Sequence, residues 1–198
     1  GYTDPLVPIR QSPNYSKGIL YTKPEENLAH FVDVLRNQEQ CAYVIIVGHL
    51  GLSQQIHLSN LEACNGVDYI FGGDTHERVR KPIQGKYAKV VEPGAFGSFC
   101  GRLELTVQDG KIVSDTYHLD EISVEKYKED KAIKQLVNNL ECPYFEDISK
   151  IVGYSKIPLY RYFVIENTID TMILDALRWR LPEIDVVLSN GFRFCPPR

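Results

Sequence analysis

Apolar and polar positions follow one another in distinct rhythms along the chain. Residues 1–20, rich in Pro, Tyr and Ser, read as a surface connection. Thr22-Lys23-Pro24-Glu25 then predicts a helix start, with Thr22 as the cap, Glu25 three residues on and Pro24 in the first turn. Leu28, Phe31, Val32 and Leu35 recur at helical spacing and predict one buried face. The continuous β-rich run Ala42 to Val47 predicts a central strand covered on both faces. It ends in the loop Gly48-His49-Leu50-Gly51, and a short helical stretch from Gln54 to Cys64 leads to a second strand, Val67 to Phe71. That strand runs into Gly72-Gly73-Asp74-Thr75-His76-Glu77. Strand-helix-strand passes imply a parallel sheet, whose ligands bind in loops at the carboxyl ends of strands.

Beyond this point the rhythm changes. Lys89 to Glu92 reads as a short strand, followed by the small-residue stretch Gly94 to Ser98. Gly101 to Val107 and Ile112 to Leu119 alternate as strands, and Gln108-Asp109-Gly110-Lys111 between them is a hairpin turn. A charged helix follows from Val124, with Ile133, Leu136, Val137 and Leu140 on one face and a solvated outer face. A strand is expected at Ile151 to Tyr154, a helix at Thr168 to Arg180 with the stripe Ile169, Met172, Ile173, Ala176 and Leu177, and a last strand at Ile184 to Leu188. The loop Ser189-Asn190-Gly191-Phe192-Arg193 comes next.

Composition narrows the classes. With 198 residues, 43% of them hydrophobic, the chain suffices for one core and is marginal for two. A net charge of -4 argues against a nucleic-acid surface, and no run of about 18 apolar residues predicts a membrane span. Cysteines 41, 64, 100, 142 and 195 lack the short spacings of zinc or redox motifs and read as buried or incidental thiols. The chain opens on Gly1 and stops after Phe194-Cys195-Pro196-Pro197-Arg198 without a closing element, so a fragment is expected.

Candidate chemistry gathers at the two strand ends, in His49, Asp74 and His76. Imidazole and carboxylate suit manganese, iron or zinc, and carboxylate also suits magnesium. Each motif alone also fits a hydrogen-bonded loop residue or a turn former. Two such loops on neighbouring strand ends point to a shared site. Glu77 and Arg78 read either as partners of His76 or as a solvated loop. Gln54 and His57 read as helix surface, His30 as exposed, and His118 as a strand residue without a metal-type partner.

The segments VIIVGHLGLSQQIHL, GVDYIFGGDTHERV and VVEPGAFGSFCGRLEL together resemble the calcineurin-like metallophosphoesterase domain of bacterial 5′-nucleotidases. That family orders its ligands as Asp-x-His, Gly-Asp, Gly-Asn-His, a lone His and Gly-His-x-His. Gly48-His49 matches the lone His, and Gly73-Asp74-Thr75-His76 matches the last motif. ENTIDTMILDALRWRLPEIDVVLSNGFRF resembles the start of the nucleotidase C-terminal domain, whose Asn-Gly-Gly-Gly-x-Arg loop binds substrate; Asn190, Gly191 and Arg193 fill the matching places. The resemblance implies an α/β fold: the C-terminal half of a metallophosphoesterase α/β/β/α sandwich over residues 1–122, a linker helix over 123–150, and the start of a nucleotidase C-terminal α/β domain over 151–198.

It further implies a metal-dependent phosphomonoester hydrolase acting on a nucleoside 5′-monophosphate through a hydroxide activated by two metals. The ions are two divalent cations, manganese, magnesium, zinc or cobalt, with His49 and Asp74 on one and His76 on the other. Arg193 offers its planar fork to phosphate or sugar, or forms a domain-interface or surface ion pair. Asn190 is a substrate ligand or a turn residue, and Phe192 and Phe194 stack a nucleobase or pack an interface. The sequence leaves localisation open, and the resemblance favours a periplasmic or secreted one.

This chain departs from the family pattern at three places. Asp74 stands where the family has His, which makes the site more oxygen-rich and favours manganese or magnesium over zinc. The 190–193 loop is short and resembles that of the related thiosulfohydrolases, so sulfur-ester hydrolysis on the same scaffold is one alternative, and a non-catalytic binder of a nucleotide or protein partner is another. The first three ligand motifs are absent from residues 1–198, and the resemblance implies that the family's catalytic His is expected upstream of Gly1.

Overall fold

The computed structural model describes residues 1–160 and 166–189. The chain divides into two compact units, residues 1–126 and 127–198.

In the first unit, Asp4 precedes a short helix α1 (Val7–Arg10), accepting from the Leu6 amide at 2.9 Å and from the Arg10 guanidinium. Helix α2 (Pro24–Asp33) begins one residue later than its sequence signature suggests. Lys23 is the capping position, and Glu26 rather than Glu25 reaches back to its amide at 3.2 Å. Pro24 takes the first helical position, where no amide hydrogen is needed, and so sets the register. Leu28 and Val32 are buried, while Phe31 and Leu35 on the same predicted face are exposed. A wider π-turn over Val34–Gln38 ends the helix. From it Arg36 donates to the carbonyls of Gly66 (2.8 Å) and Cys41 (2.9 Å) and pairs with Asp68. One guanidinium thus joins the helix end to the approaches of two strands.

Those strands are β1 (Ile45–Gly48) and β2 (Tyr69–Gly72), with helix α3 (Leu52–Ser59) between them. They continue into β3 (Ile83–Gln84) and β4 (Lys89–Val91). The sheet order is β1-β2-β4-β3: β1, β2 and β4 are parallel, and β3 runs against β4. Register pairs Ile45 with Tyr69, Gly48 with Gly72, and Ile70 with Val90. Val44, Ile46, Ile70, Ala88 and Val90 pack with Leu28, Val32, Leu50 and Leu58 into one core beneath α2 and α3. Cys64 belongs to this core, and burial pushes its thiol up to about 11.

The expectation that β1 is central and covered on both faces is corrected. It stands at one end of the four-stranded order, and Ile45 and Val47 are exposed while Ile46 is buried. Strands β2 and β4 are buried on both faces instead. The opening residues are also more than a surface connection. Tyr2 pairs in parallel with Gly48, its amide donating to the Val47 carbonyl (2.9 Å) and its carbonyl accepting from the His49 amide (2.8 Å).

Strands β5 (Phe99–Gln108) and β6 (Lys111–Glu121) form a hairpin. Asp109 (φ +50°) and Gly110 (φ +73°) take the two left-handed positions of its two-residue turn, which matches the right-handed twist of the strands. The hairpin meets the sheet where Lys89 Nζ lies 2.6 and 2.8 Å from the two Asp115 oxygens.

In the second unit, Asp130 caps α4 (Lys131–Glu141), accepting from the amides of Ala132 (2.9 Å) and Ile133 (3.0 Å). The row Ile133, Leu136, Val137 and Leu140 is exposed. Helix α5 covers Phe145–Ser149, and α6 covers Thr168–Arg180 with Asn167 accepting from the Asp170 amide at 3.0 Å. The strands expected at Ile151 to Tyr154 and Ile184 to Leu188 do not form; those residues are irregular. An extended segment is stable as a strand only beside a partner that takes its backbone groups, and the described residues provide none there.

Gly72 is a tight point of the fold. A Cβ there would lie 2.0 Å from Gln55 Nε2, and Gln55 is fully buried. The same atom at Gly73 meets nothing within 4 Å. Gly72→Ala is expected to cost about 1–3 kcal/mol from overpacking, and Gly73→Ala less than about 0.5 kcal/mol. Urea unfolding of both variants checks this, and equal midpoints would contradict the crowding. Thiol titration of the native protein should modify exposed Cys100 and Cys142 and spare Cys64 until denaturant is added.

Candidate functional site

Loops leave the sheet at the carboxyl ends of its parallel elements, after Tyr2, after β1, after β2 and after β4. Their positions follow from strand direction alone, and this edge is where open α/β sheets bind ligands. The β1 loop carries His49 and the β2 loop carries Asp74 and His76.

His49 Nε2 lies 3.0 Å from Asp74 Oδ1. The imidazole is exposed and the carboxylate partly buried, so the pair faces solvent on one side. His76 belongs to the same loop as Asp74 but has a different setting. Its backbone is left-handed (φ +60°), and its ring meets Phe96 edge-on with centroids 5.3 Å apart. Among the described residues no group of three or more His, Cys, Asp or Glu side chains is arranged to hold a metal ion. His49 and Asp74 thus come together without a third such donor grouped beside them among the described residues. One imidazole and one carboxylate on adjoining loops are a donor set that fits a divalent cation.

A left-handed backbone at a histidine costs on the order of 1–3 kcal/mol, and the surroundings of the 73–77 loop show what holds it. Glu92, immediately after β4, is fully buried. Its carboxylate accepts from the Glu77 amide (2.9 Å), the Gln55 side-chain amide (3.1 Å) and the Thr75 hydroxyl (3.3 Å to each oxygen). The Thr75 hydroxyl in turn accepts from the Leu52 amide (3.1 Å), and Gln55 also donates to the Leu50 carbonyl (2.6 Å). The Glu77 carbonyl accepts from the Gly94 amide (2.9 Å), and the Val79 amide donates to the Glu92 carbonyl (2.9 Å). The loops after β1, β2 and β4 are thereby tied together by one buried polar network. Among the described residues Glu92 makes no ion pair, so hydrogen bonds alone compensate the burial of its carboxylate.

The other singled-out residues fall as follows. Arg78 lies over the Phe99 ring, 5.2 Å from its centroid. Gln54 accepts from the Gly51 amide at 3.0 Å, His57 and His30 are exposed, and His118 Nε2 lies 3.7 Å from Glu104. Asn190, Gly191, Phe192, Arg193 and Phe194 lie outside the described residues. Glu92, Gln55, Thr75 and Phe96 were not singled out in the sequence. A signal for Glu92 was present: it is an acid directly continuing an apolar strand at the carboxyl edge.

No protein-family model matches the chain, and no curated protein matches it in sequence. Solved structures do match. The sulfate thiohydrolase SoxB of Thermus thermophilus, solved with glycerol, superposes with a TM-score of 0.77 at 20% identity over 91% of this chain and 33% of that one. A 5′-nucleotidase precursor, also from Thermus thermophilus, gives 0.68 at 19% identity over 83% of this chain and 36% of its own. At this identity the likeness establishes the fold: a mixed α/β architecture shared with these two enzymes. The chain spans about a third of their length.

Glu92→Ala would strand the donors of Glu77 and Gln55 and open a void beneath the site. The expected loss is about 3 kcal/mol or more. Denaturant unfolding checks it, and a loss below about 1 kcal/mol would show that the network carries little of the loop geometry.

Proposed function

We propose that this chain supplies part of the metal site of a divalent-metal-dependent ester hydrolase, with a phosphomonoester of the nucleoside 5′-monophosphate class as substrate. The observation that carries the reading is the convergence of His49 and Asp74 to 3.0 Å at the carboxyl edge of a parallel sheet. The fold shared with a nucleotidase and a thiohydrolase supports it. On this reading residues 1–122 are the metallophosphoesterase portion, 123–150 a linker, and 151–198 the opening of the substrate domain.

Two divalent ions, manganese, magnesium, zinc or cobalt, supply Lewis-acid polarisation of the ester and activation of water when bound. The chain's own residues do the rest. His49 and Asp74 present nitrogen and oxygen donors on one ion, and His76 presents its imidazole to the second. Glu92 fixes the spacing of the loops that carry them, so little ordering is left to occur when the ions arrive. Arg193 receives the charged group of the substrate with its planar fork, while Asn190 and the Gly191 backbone line the same loop and Phe192 stacks the base.

A second reading has a specific observation in its favour. The TM-score of 0.77 belongs to the thiohydrolase, against 0.68 for the nucleotidase. On that reading the scaffold cleaves a sulfur ester with the same donors. A partner-binding relative without catalysis is the outcome that an absent metal would favour.

Asp74→Ala in the full-length protein is expected to lower bound metal and hydrolysis together, measured by elemental analysis and by phosphate release from AMP. Full metal occupancy in that variant removes Asp74 from the site. Arg193→Ala should raise KM or lower kcat by about tenfold or more while metal content stays constant, and unchanged kinetics would return Arg193 to a structural role.

A further inference from the structure

The loop after Tyr2 also leaves at the ligand-binding edge, and it brings a cation. Tyr2 lies in parallel beside Gly48, so residues 3–10 leave the sheet on the same side as His49 and Asp74. They end in Arg10, which lines a cavity of about 470 Å³ together with Gly51, Ser53, Asp74 and Thr75.

Arg10 is held there by a buried acid. Asp4 is 4% exposed, and its carboxylate accepts from the Leu6 amide with one oxygen and from the Arg10 guanidinium with the other. A guanidinium has five donors. One is bound to Asp4, and the side chain remains half exposed on the cavity wall. The backbone amides of the lining are less available to an anion, because those of Gly51 and Leu52 already donate to Gln54 and Thr75. The cavity also carries the carboxylates of Asp74 and Glu77, which repel an anion until metal charge is added.

We propose that Arg10 is a substrate-binding residue, receiving the tetrahedral oxyanion group of the substrate in the cavity beside Asp74. Asp4 is its positioning residue. The assignment rests on the metal reading of His49 and Asp74 given above. A planar fork anchored at one end by a buried carboxylate presents its remaining donors to two oxygens of a phosphoryl or sulfuryl group without first losing side-chain freedom.

Calorimetric titration of the manganese-loaded full-length protein with orthophosphate and with thiosulfate tests this. Arg10→Ala removes the guanidinium and also unpairs Asp4. Arg10→Lys keeps the charge opposite Asp4 and loses the fork, and it serves where the alanine variant does not fold. The tighter-binding anion should weaken about tenfold in Arg10→Lys and further in Arg10→Ala, with manganese affinity unchanged. Preference for orthophosphate assigns the cavity to phosphoesters, and preference for thiosulfate to sulfur oxyanions. Wild-type anion affinity in the folded variants, or no anion binding by the manganese-loaded wild type, overturns the role of Arg10 and leaves the metal site standing. Failure of the wild type to bind manganese overturns the metal reading and this assignment with it.

Discussion

A fully buried carboxylate must find donors, and Glu92 finds them in the loops beside it. Taking such a group out of water is costly unless its oxygens are satisfied. The chain meets that demand with the Glu77 amide, the Thr75 hydroxyl and the Gln55 side chain, all from segments that carry or adjoin the candidate donors. Gln55 must then lie flat against Gly72, where a side chain would collide with it. One constraint thus fixes a glycine in β2, a glutamine in α3 and the turn that holds His76 in its left-handed backbone.

Strand direction supplies the rest of the site. Because Tyr2, β1 and β2 run in parallel, their following loops emerge on one edge. His49, Asp74 and Arg10 are far apart in sequence, yet the topology sends all three to that edge. Polar groups are paired locally: the buried Asp4 accompanies Arg10, and Asp74 lies beside His49. Paired groups of this kind are already oriented, which reduces the entropy lost when a ligand is held.

The two units are built differently. In the first, helices α2 and α3 cover the sheet and β2 and β4 are buried on both faces. In the second, α4 leaves Ile133, Leu136 and Leu140 exposed, and neither expected strand forms among the described residues. Helices satisfy their own backbone and can persist under those conditions, whereas strands need neighbours.

Local pattern by itself determined much of this protein. The span of α6, the Asp109-Gly110 turn and the loops bearing His49 and Asp74 follow from periodicity, turn chemistry and glycine placement, which act over a few residues. Tertiary structure decided the rest. The edge position of β1, the pairing of Tyr2 with Gly48, the failure of 151–154 and 184–188 to become strands, and the roles of Glu92 and Arg10 all depend on partners distant in sequence. An apolar run shows that a segment suits burial and not which neighbour lies beside it. An acid after a strand shows a charge and not the donors that allow it to be buried. Those were settled by hydrogen bonds between segments that no window along the chain contains.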